Sequence, residues 1–267
     1  MPDIVMHNAM GDKVLQKLST EITTIIDYEI FRYALMGPDP YQFYRFFLPP
    51  LRHGVNKRSH IMHTTKTGLF LMELAARSQS REVFSFLAGF LCHYAMDSIS
   101  HPFICKMANS QGSMHTAIEH KLDVLELERQ GKQRKDIVRL FAKCPDLPEV
   151  REVIQKVYGW NDNCYAVGAK YMHLYYWIAK DQHGILNCVL HWMPGKLSSV
   201  SYRTKIADKL ELAGFTDLER NAVERGVQLI TAVYEYRNGD ICEECLRKII
   251  GNHSYVEAES EGNITSE

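Results

Sequence analysis

The sequence predicts an all-α fold, a single-domain helical bundle, and three observations point there. Apolar residues recur at helical spacing through most segments, no run shows strict alternation rich in β-branched residues, and prolines and glycines cluster where the helical period stops. The spacing predicts helices over 9–18, 20–35, 57–77, 81–98, 114–130, 135–142, 149–158, 164–192 (with a break near Gly184), 201–212 and 217–238. Gly37-Pro38-Asp39-Pro40 and Leu48-Pro49-Pro50 separate the second helix from the third. Cys144-Pro145-Asp146-Leu147-Pro148, Met193-Pro194-Gly195 and Asn238-Gly239 stop the later periods, because proline cannot donate to an interior helical bond and glycine tolerates the turn that follows. With 267 residues and 46% hydrophobic content, the chain can bury one sizeable core. That domain is expected over 1–256. Residues 257–267 form an acidic tail with little to bury and are expected to be disordered.

Charge and cysteine usage narrow the class. The formal net charge of −1 supplies no global basic field for sequence-independent nucleic-acid binding. The first residues, Met1 to His7, carry neither a basic n-region nor an apolar h-region. No uninterrupted apolar stretch approaches the ~18 residues of a membrane span. A cytoplasmic protein without a membrane span is therefore expected. The 7 cysteines are odd in number and scattered, as free thiols in a reducing compartment would be. Cys242-Glu-Glu-Cys245 has the spacing of half a zinc knuckle, but no second pair accompanies it, so an exposed helical turn is expected there.

The chemistry lies in the first half of the chain. Residues 1–120 contain 8 of the 12 histidines. His93, Asp97 and His101 stand four apart, so a continuous helix presents them as one line of side chains among apolar neighbours. A desolvated carboxylate between imidazoles needs a partner, and a metal ion is the economical one. His115 and Glu119 repeat the spacing on the next helix. Imidazoles with carboxylates suit Zn²⁺, so two facing helices would hold an interhelical multi-zinc site, with Asp97 able to offer an oxygen to each of two ions. Such a pair can share a hydroxide that attacks phosphorus, which favours phosphodiester hydrolysis.

The order His7, Gly37-Pro38-Asp39, His63, His93-x3-Asp97, His101, His115-x3-Glu119 resembles the zinc-dependent phospholipase C family, related to the S1/P1-type nucleases. The resemblance covers roughly residues 1–130. It implies that Asp39, His63, His93 and Asp97 hold one zinc, that His101, His115 and Glu119 hold a second, and that His7 with Asp97 and the chain terminus holds a third. Secreted members complete the third site with a mature N-terminal tryptophan, whereas this chain begins Met1-Pro2, so two or three ions are expected. Asp39 is the expected catalytic residue, orienting or deprotonating the attacking water. The expected substrate is a small phosphodiester or a phospholipid head group. A nuclease or nucleotide phosphodiesterase on the same site, or a non-catalytic zinc protein, are the alternatives.

Particular residues remain open at this level. Asp39 lies in Gly-Pro-Asp-Pro, which is also turn chemistry. His60 and His63 compete within one short stretch, and His63 is preferred because it leads into Thr64-Thr65-Lys66-Thr67-Gly68. His53, His120, His173, His183, His191 and His253 are read as surface or supporting residues. Tyr171, Tyr175, Tyr176 and Trp177 read as core, Phe43, Tyr44, Phe46 and Phe47 as the rim of a site, Lys57 and Arg58 as solvated, and Cys92 as core. Rival helical metal sites are disfavoured: the chain has no His-Asp dipeptide, no His-Glu-x-x-His and no Glu-x-x-His.

Overall fold

The computed structural model describes residues 4–109, 112–179 and 214–252. These are all helix, turn and loop, with no strand among the described residues. In chain order the α-helices are α1 (Ile4–Lys17), α2 (Thr20–Ile25), α3 (Tyr28–Ala34), α4 (Pro40–Phe43), α5 (Lys57–Thr64), α6 (Thr67–Ala75), α7 (Arg81–Ala108), α8 (Gly112–Arg129), α9 (Pro148–Tyr158), α10 (Cys164–Ala179), α11 (Phe215–Asn238) and α12 (Glu243–Ile250). Short 3-10 turns occupy Pro49–Arg52 and Arg134–Leu140. The expected helix over 201–212, the part of 164–192 beyond Ala179, and the 257–267 tail lie outside the described residues.

α7 is the axis of the fold. Phe84, Phe86 and Phe90 are fully buried on it, and it packs most extensively against α11 and α3. The close approach to α3 depends on Gly89, where a Cβ would sit 2.2 Å from the Phe31 carbonyl oxygen. By length and composition α7 is apolar enough to cross a membrane, an exception to the sequence expectation. With 89% of its apolar window buried, it is the core helix instead. The chain also carries α7 to Ala108 rather than to 98, running through Pro102. A proline inside a helix costs a backbone bond, but the half-buried Pro102 sits between the buried His101 and Ile104, and the helix ends only where Asn109 turns left-handed at φ 45°. This extension puts His101 on the same helix as His93 and Asp97.

Two predicted helices prove to be broken, each for a local reason. The 20–35 segment splits because Ile26 and Asp27 are extended, and the Asp27 carboxylate accepts from the backbone N–H groups of Glu29 and Ile30 at 3.0 and 3.1 Å. An aspartate that caps a helix competes with continuing one. The 57–77 segment splits where Thr65 is extended and Lys66 turns left-handed at φ 57°. The 135–142 segment is a 3-10 turn. α12 has no counterpart among the predicted helices. It forms because Leu246 and Ile250, four apart, are buried under it.

Aromatic residues pack together beside α4. Of Phe43, Tyr44, Phe46 and Phe47, Tyr44 and Phe46 are buried and Phe43 and Phe47 half-buried. Phe43 meets Tyr175 and Phe46 meets Tyr171 edge-on, with ring centroids 5.1 and 6.1 Å apart, an arrangement aromatic quadrupoles favour. Tyr175 and Tyr176 are core as expected, while Trp177 is exposed. Arg58 is not merely solvated: it pairs with Asp162 at 2.6 Å and lies over the Trp160 ring. Cys92 is fully buried, with its thiol pushed well up by burial.

Candidate metal centre

The predicted ligands arrive at the centre on five separate supports. α1 brings His7, and its first turn is clamped by Asp123 of α8, whose carboxylate accepts from Val5 N–H at 3.2 Å and Met6 N–H at 3.0 Å. A charged acceptor at a helix N-terminus fixes that end. The turn after α3 brings Asp39. α5 brings His63, whose neighbour His60 is exposed, so the structure turns His63 and not His60 inward. α7 brings His93, Asp97 and His101, and α8 brings His115 and Glu119.

The eight residues fall into three groups, in each of which one potential ligand atom per residue lies within 4.8 Å of the others: His7 with His93 and Asp97, Asp39 with His63 and His93, and His101 with His115 and Glu119. Asp97 is the hub. Its Oδ1 lies 3.3 Å from His7 Nε2, and its Oδ2 lies 3.3, 3.1 and 3.9 Å from the Nε2 atoms of His63, His93 and His101. His7 stacks on His93 with centroids 4.2 Å apart. In the third group His115 Nε2 lies 2.7 Å from Glu119 Oε1.

The hydrogen bonds around the centre decide what it can hold. His93 Nδ1–H donates to the Leu35 carbonyl at 3.2 Å, and His63 Nδ1–H donates to the Ser59 carbonyl at 2.6 Å. With Nδ1 protonated, the neutral tautomer leaves a lone pair on each Nε2. Those two Nε2 atoms are 3.5 Å apart, and both face Asp97 Oδ2. Acceptors therefore converge on acceptors. Both nitrogens of His7 and of His101, and both oxygens of Asp97, are buried and lack a partner in hydrogen-bonding geometry despite these short contacts. A buried polar group left this way costs about 1–3 kcal/mol, and a cation in each group takes up one lone pair from each imidazole together with the Asp97 oxygens. Zinc-binding imidazoles depend on outer hydrogen bonds of this kind, in which a backbone carbonyl fixes the tautomer and the ring orientation.

Electrostatics agree. Burial lowers the pKa of His63 and His93, and lowers His101 well below the usual imidazole range. Burial also brings His115 down to about 4. Burial opposes the charge on Asp97, but the imidazoles of His93, His101, His63 and His7 outweigh it and hold its carboxyl well below the ordinary value. Neutral imidazoles around an ionised carboxylate are ligands in their binding form. The stability consequence has one sign. Histidines whose folded pKa is depressed bind protons more readily when unfolded, so stability falls as pH drops below the unfolded value of ~6.5. For His115 the loss runs down to about 4. Metal-free protein should therefore melt progressively lower as pH falls from neutral toward the His115 value, as calorimetry would read. A flat profile would contradict the buried neutral imidazoles.

Residues that the sequence does not single out hold the centre in place. Gln42 Nε2 and Ser59 Oγ approach Asp39 Oδ1 at 3.4 and 3.5 Å, and Gln42 also donates to Ser59 Oγ at 3.1 Å. Ser59 stands four before His63, a helical spacing that offers a signal. Asp123 and the Leu35 carbonyl offer none, being remote in sequence. Gly37 is needed for space: it is left-handed at φ +50°, and a Cβ there would lie 2.1 Å from His93 Cδ2. The Tyr165 hydroxyl holds its carbonyl at 2.7 Å. Gly37→Ala should cost about 2–4 kcal/mol in denaturant unfolding, from the φ and the clash together, and should disturb His93. Wild-type stability would show that the close approach is dispensable. Of the remaining histidines, His53 and His173 are exposed and His120 is buried, while His183, His191 and His253 lie outside the described residues.

A family model described as zinc dependent phospholipase C matches residues 6–171. The matched span includes all eight residues of the centre and continues beyond the resemblance read from sequence, into α10. No curated protein and no solved structure matches the chain significantly.

Proposed function

Because the chain belongs to the zinc-dependent phospholipase C family, we propose that it hydrolyses phosphodiesters with two or three zinc ions held by His7, Asp39, His63, His93, Asp97, His101, His115 and Glu119. The observation that carries this reading is the convergence of the His63 and His93 Nε2 lone pairs on Asp97 Oδ2, an arrangement that a cation completes. Zinc bound there supplies Lewis acidity toward a phosphoryl oxygen and makes a water acidic enough to react near neutral pH.

The chain's own residues do the rest. Asp97, fully buried, fixes the spacing between the groups on α1, α5 and α7. Asp39 is the general base: Gln42 and Ser59 orient its carboxylate, which takes the proton of the attacking water. Backbone carbonyls of Leu35 and Ser59 hold the imidazoles so that little reorganisation accompanies the charge change.

The preferred substrate is a phospholipid head group at a membrane surface. Residues 40–72 contain Arg45, Arg52, Lys57, Arg58 and Lys66 and no Asp or Glu. Within that stretch, at the 3-10 turn after α4, Leu48 and Leu51 are 48% and 43% exposed. Apolar side chains flanked by cations suit an interface carrying phosphates.

The test is hydrolysis by zinc-loaded protein of phospholipid vesicles, a chromogenic phosphodiester and a dinucleotide, each with and without chelator. Chelator-sensitive release of a phosphorylated head group from vesicles is expected, and Leu48→Ser with Leu51→Ser should slow the vesicle reaction alone. Dinucleotide turnover exceeding phospholipid turnover would replace this substrate with a nucleotide one. Zinc-loaded protein inert on all three would remove the enzymatic reading.

A further inference from the structure

Away from the metal centre, two sulfurs meet at the surface. Cys242 is the N-cap of α12 and Cys245 lies in its first turn. Both are exposed, and their Sγ atoms are 2.8 Å apart. A disulfide needs ~2.05 Å, so the gap to a bond is under roughly 1 Å. The other described cysteines differ: Cys92 and Cys164 are buried and Cys105 and Cys144 half-buried. Neither Cys242 nor Cys245 joins any metal-capable group among the described residues, and two thiols fall short of the four ligands of a structural zinc.

We propose that Cys242 and Cys245 are a redox-active dithiol, a second reactive site that exchanges with low-molecular-weight disulfides.

The two cysteines are not equivalent. The backbone N–H of Cys245 donates to Cys242 Sγ at 3.3 Å, and the open end of the helix favours negative charge on the cap. Hydrogen bonds from Cys245, side chain and then backbone, lower the Cys242 thiol, whereas the Cys245 thiol is raised chiefly by its contact with Cys242. Cys242 is therefore the attacking thiolate and Cys245 the resolving thiol. The Cys242 thiolate attacks one sulfur of an external disulfide, forming a mixed disulfide and expelling one thiolate. Cys245 then loses its proton and attacks Cys242 Sγ, closing the intramolecular bond and expelling the second thiolate. Two electrons pass from the protein dithiol to the external disulfide, which leaves as two thiols.

The support beneath this turn does not have to move. Leu246 and Ile250 are buried below it. The Ile250 carbonyl accepts from the Tyr94 hydroxyl at 3.2 Å and from Arg225 Nη2 at 3.4 Å, which holds α12 at the end opposite its thiols.

The experiment uses the full zinc-loaded chain in buffers of oxidised and reduced glutathione, with acid quench, alkylation and mapping of the peptide that contains residues 242–245. The expected product in the wild type is a loss of about 2 Da with no glutathione retained. Cys245→Ser should stop at one glutathione on Cys242, and Cys242→Ser should react at least ~10-fold more slowly, the thiolate being the nucleophile. Two glutathiones on the wild-type peptide, no reaction at any ratio, or equal rates for the two single variants would each overturn the proposal. Zinc content is unchanged under either outcome.

Discussion

Asp97→Asn should empty the metal centre and abolish hydrolysis while leaving the metal-free fold intact. The carboxylate is fully buried and its two oxygens reach His7, His63, His93 and His101, so every group that it joins loses charge and an acceptor together. Breaking a buried charged contact of this kind costs about 3–5 kcal/mol, or roughly 10²–10⁴ in zinc affinity. Without metal the sign reverses. The new amide can donate to a histidine Nε2 that otherwise faces an oxygen, so metal-free Asp97→Asn should melt no lower than the metal-free parent. A purely structural Asp97 predicts the opposite: a destabilised chain that still binds zinc. Asp39→Asn should separate from it, lowering turnover more than metal occupancy, because Asp39 stands at the edge of the cluster, 3.6 Å from His63 Nε2, rather than at its hub. Equal losses in the two variants, measured by elemental analysis and kinetics, would overturn the division of roles.

Chelation should produce the second large effect. A ligand bound only by the native state adds RT ln(1 + [L]/Kd), about 4 kcal/mol per site at a thousandfold excess over Kd. For a domain of this size each kcal/mol moves Tm by roughly 2–4 °C. Removing zinc should therefore lower Tm by at least ~8 °C, and adding zinc back should restore it. The effect is large because α1, α5, α7 and α8 all meet at the cluster, and without a cation they press acceptor against acceptor. Unchanged melting in chelator would mean that those contacts are satisfied in another way.

The site is legible in the sequence wherever geometry follows from spacing. On one helix a separation of four fixes direction, so residue numbers alone set the line His93, Asp97, His101 and the pair His115, Glu119 toward a common space. Asp39 and His63 cannot be placed that way. Their approach depends on the left-handed Gly37 and on the break at Lys66, both set by tertiary packing. The choice between His60 and His63 turns on which side of α5 is covered. Helix ends depart from the period where one residue overrides it. Asp27 caps a helix instead of continuing one, and Pro102 suggests a stop that the burial of α7 overrides. α12 is legible only as a helical turn at Cys242–Cys245, because eight residues with a narrow apolar stripe give a weak signal. The carbonyls of Leu35 and Ser59, which set the imidazole tautomers, are main-chain atoms and leave no trace in residue identity.

The central claim is that this cluster is built for metal, and the most direct measurement is elemental analysis of natively folded protein purified under zinc-replete conditions. The eight ligands exceed what one tetrahedral ion can use, so at least two zinc ions per chain are predicted. Well-folded protein with fewer than about one ion per chain would contradict the account.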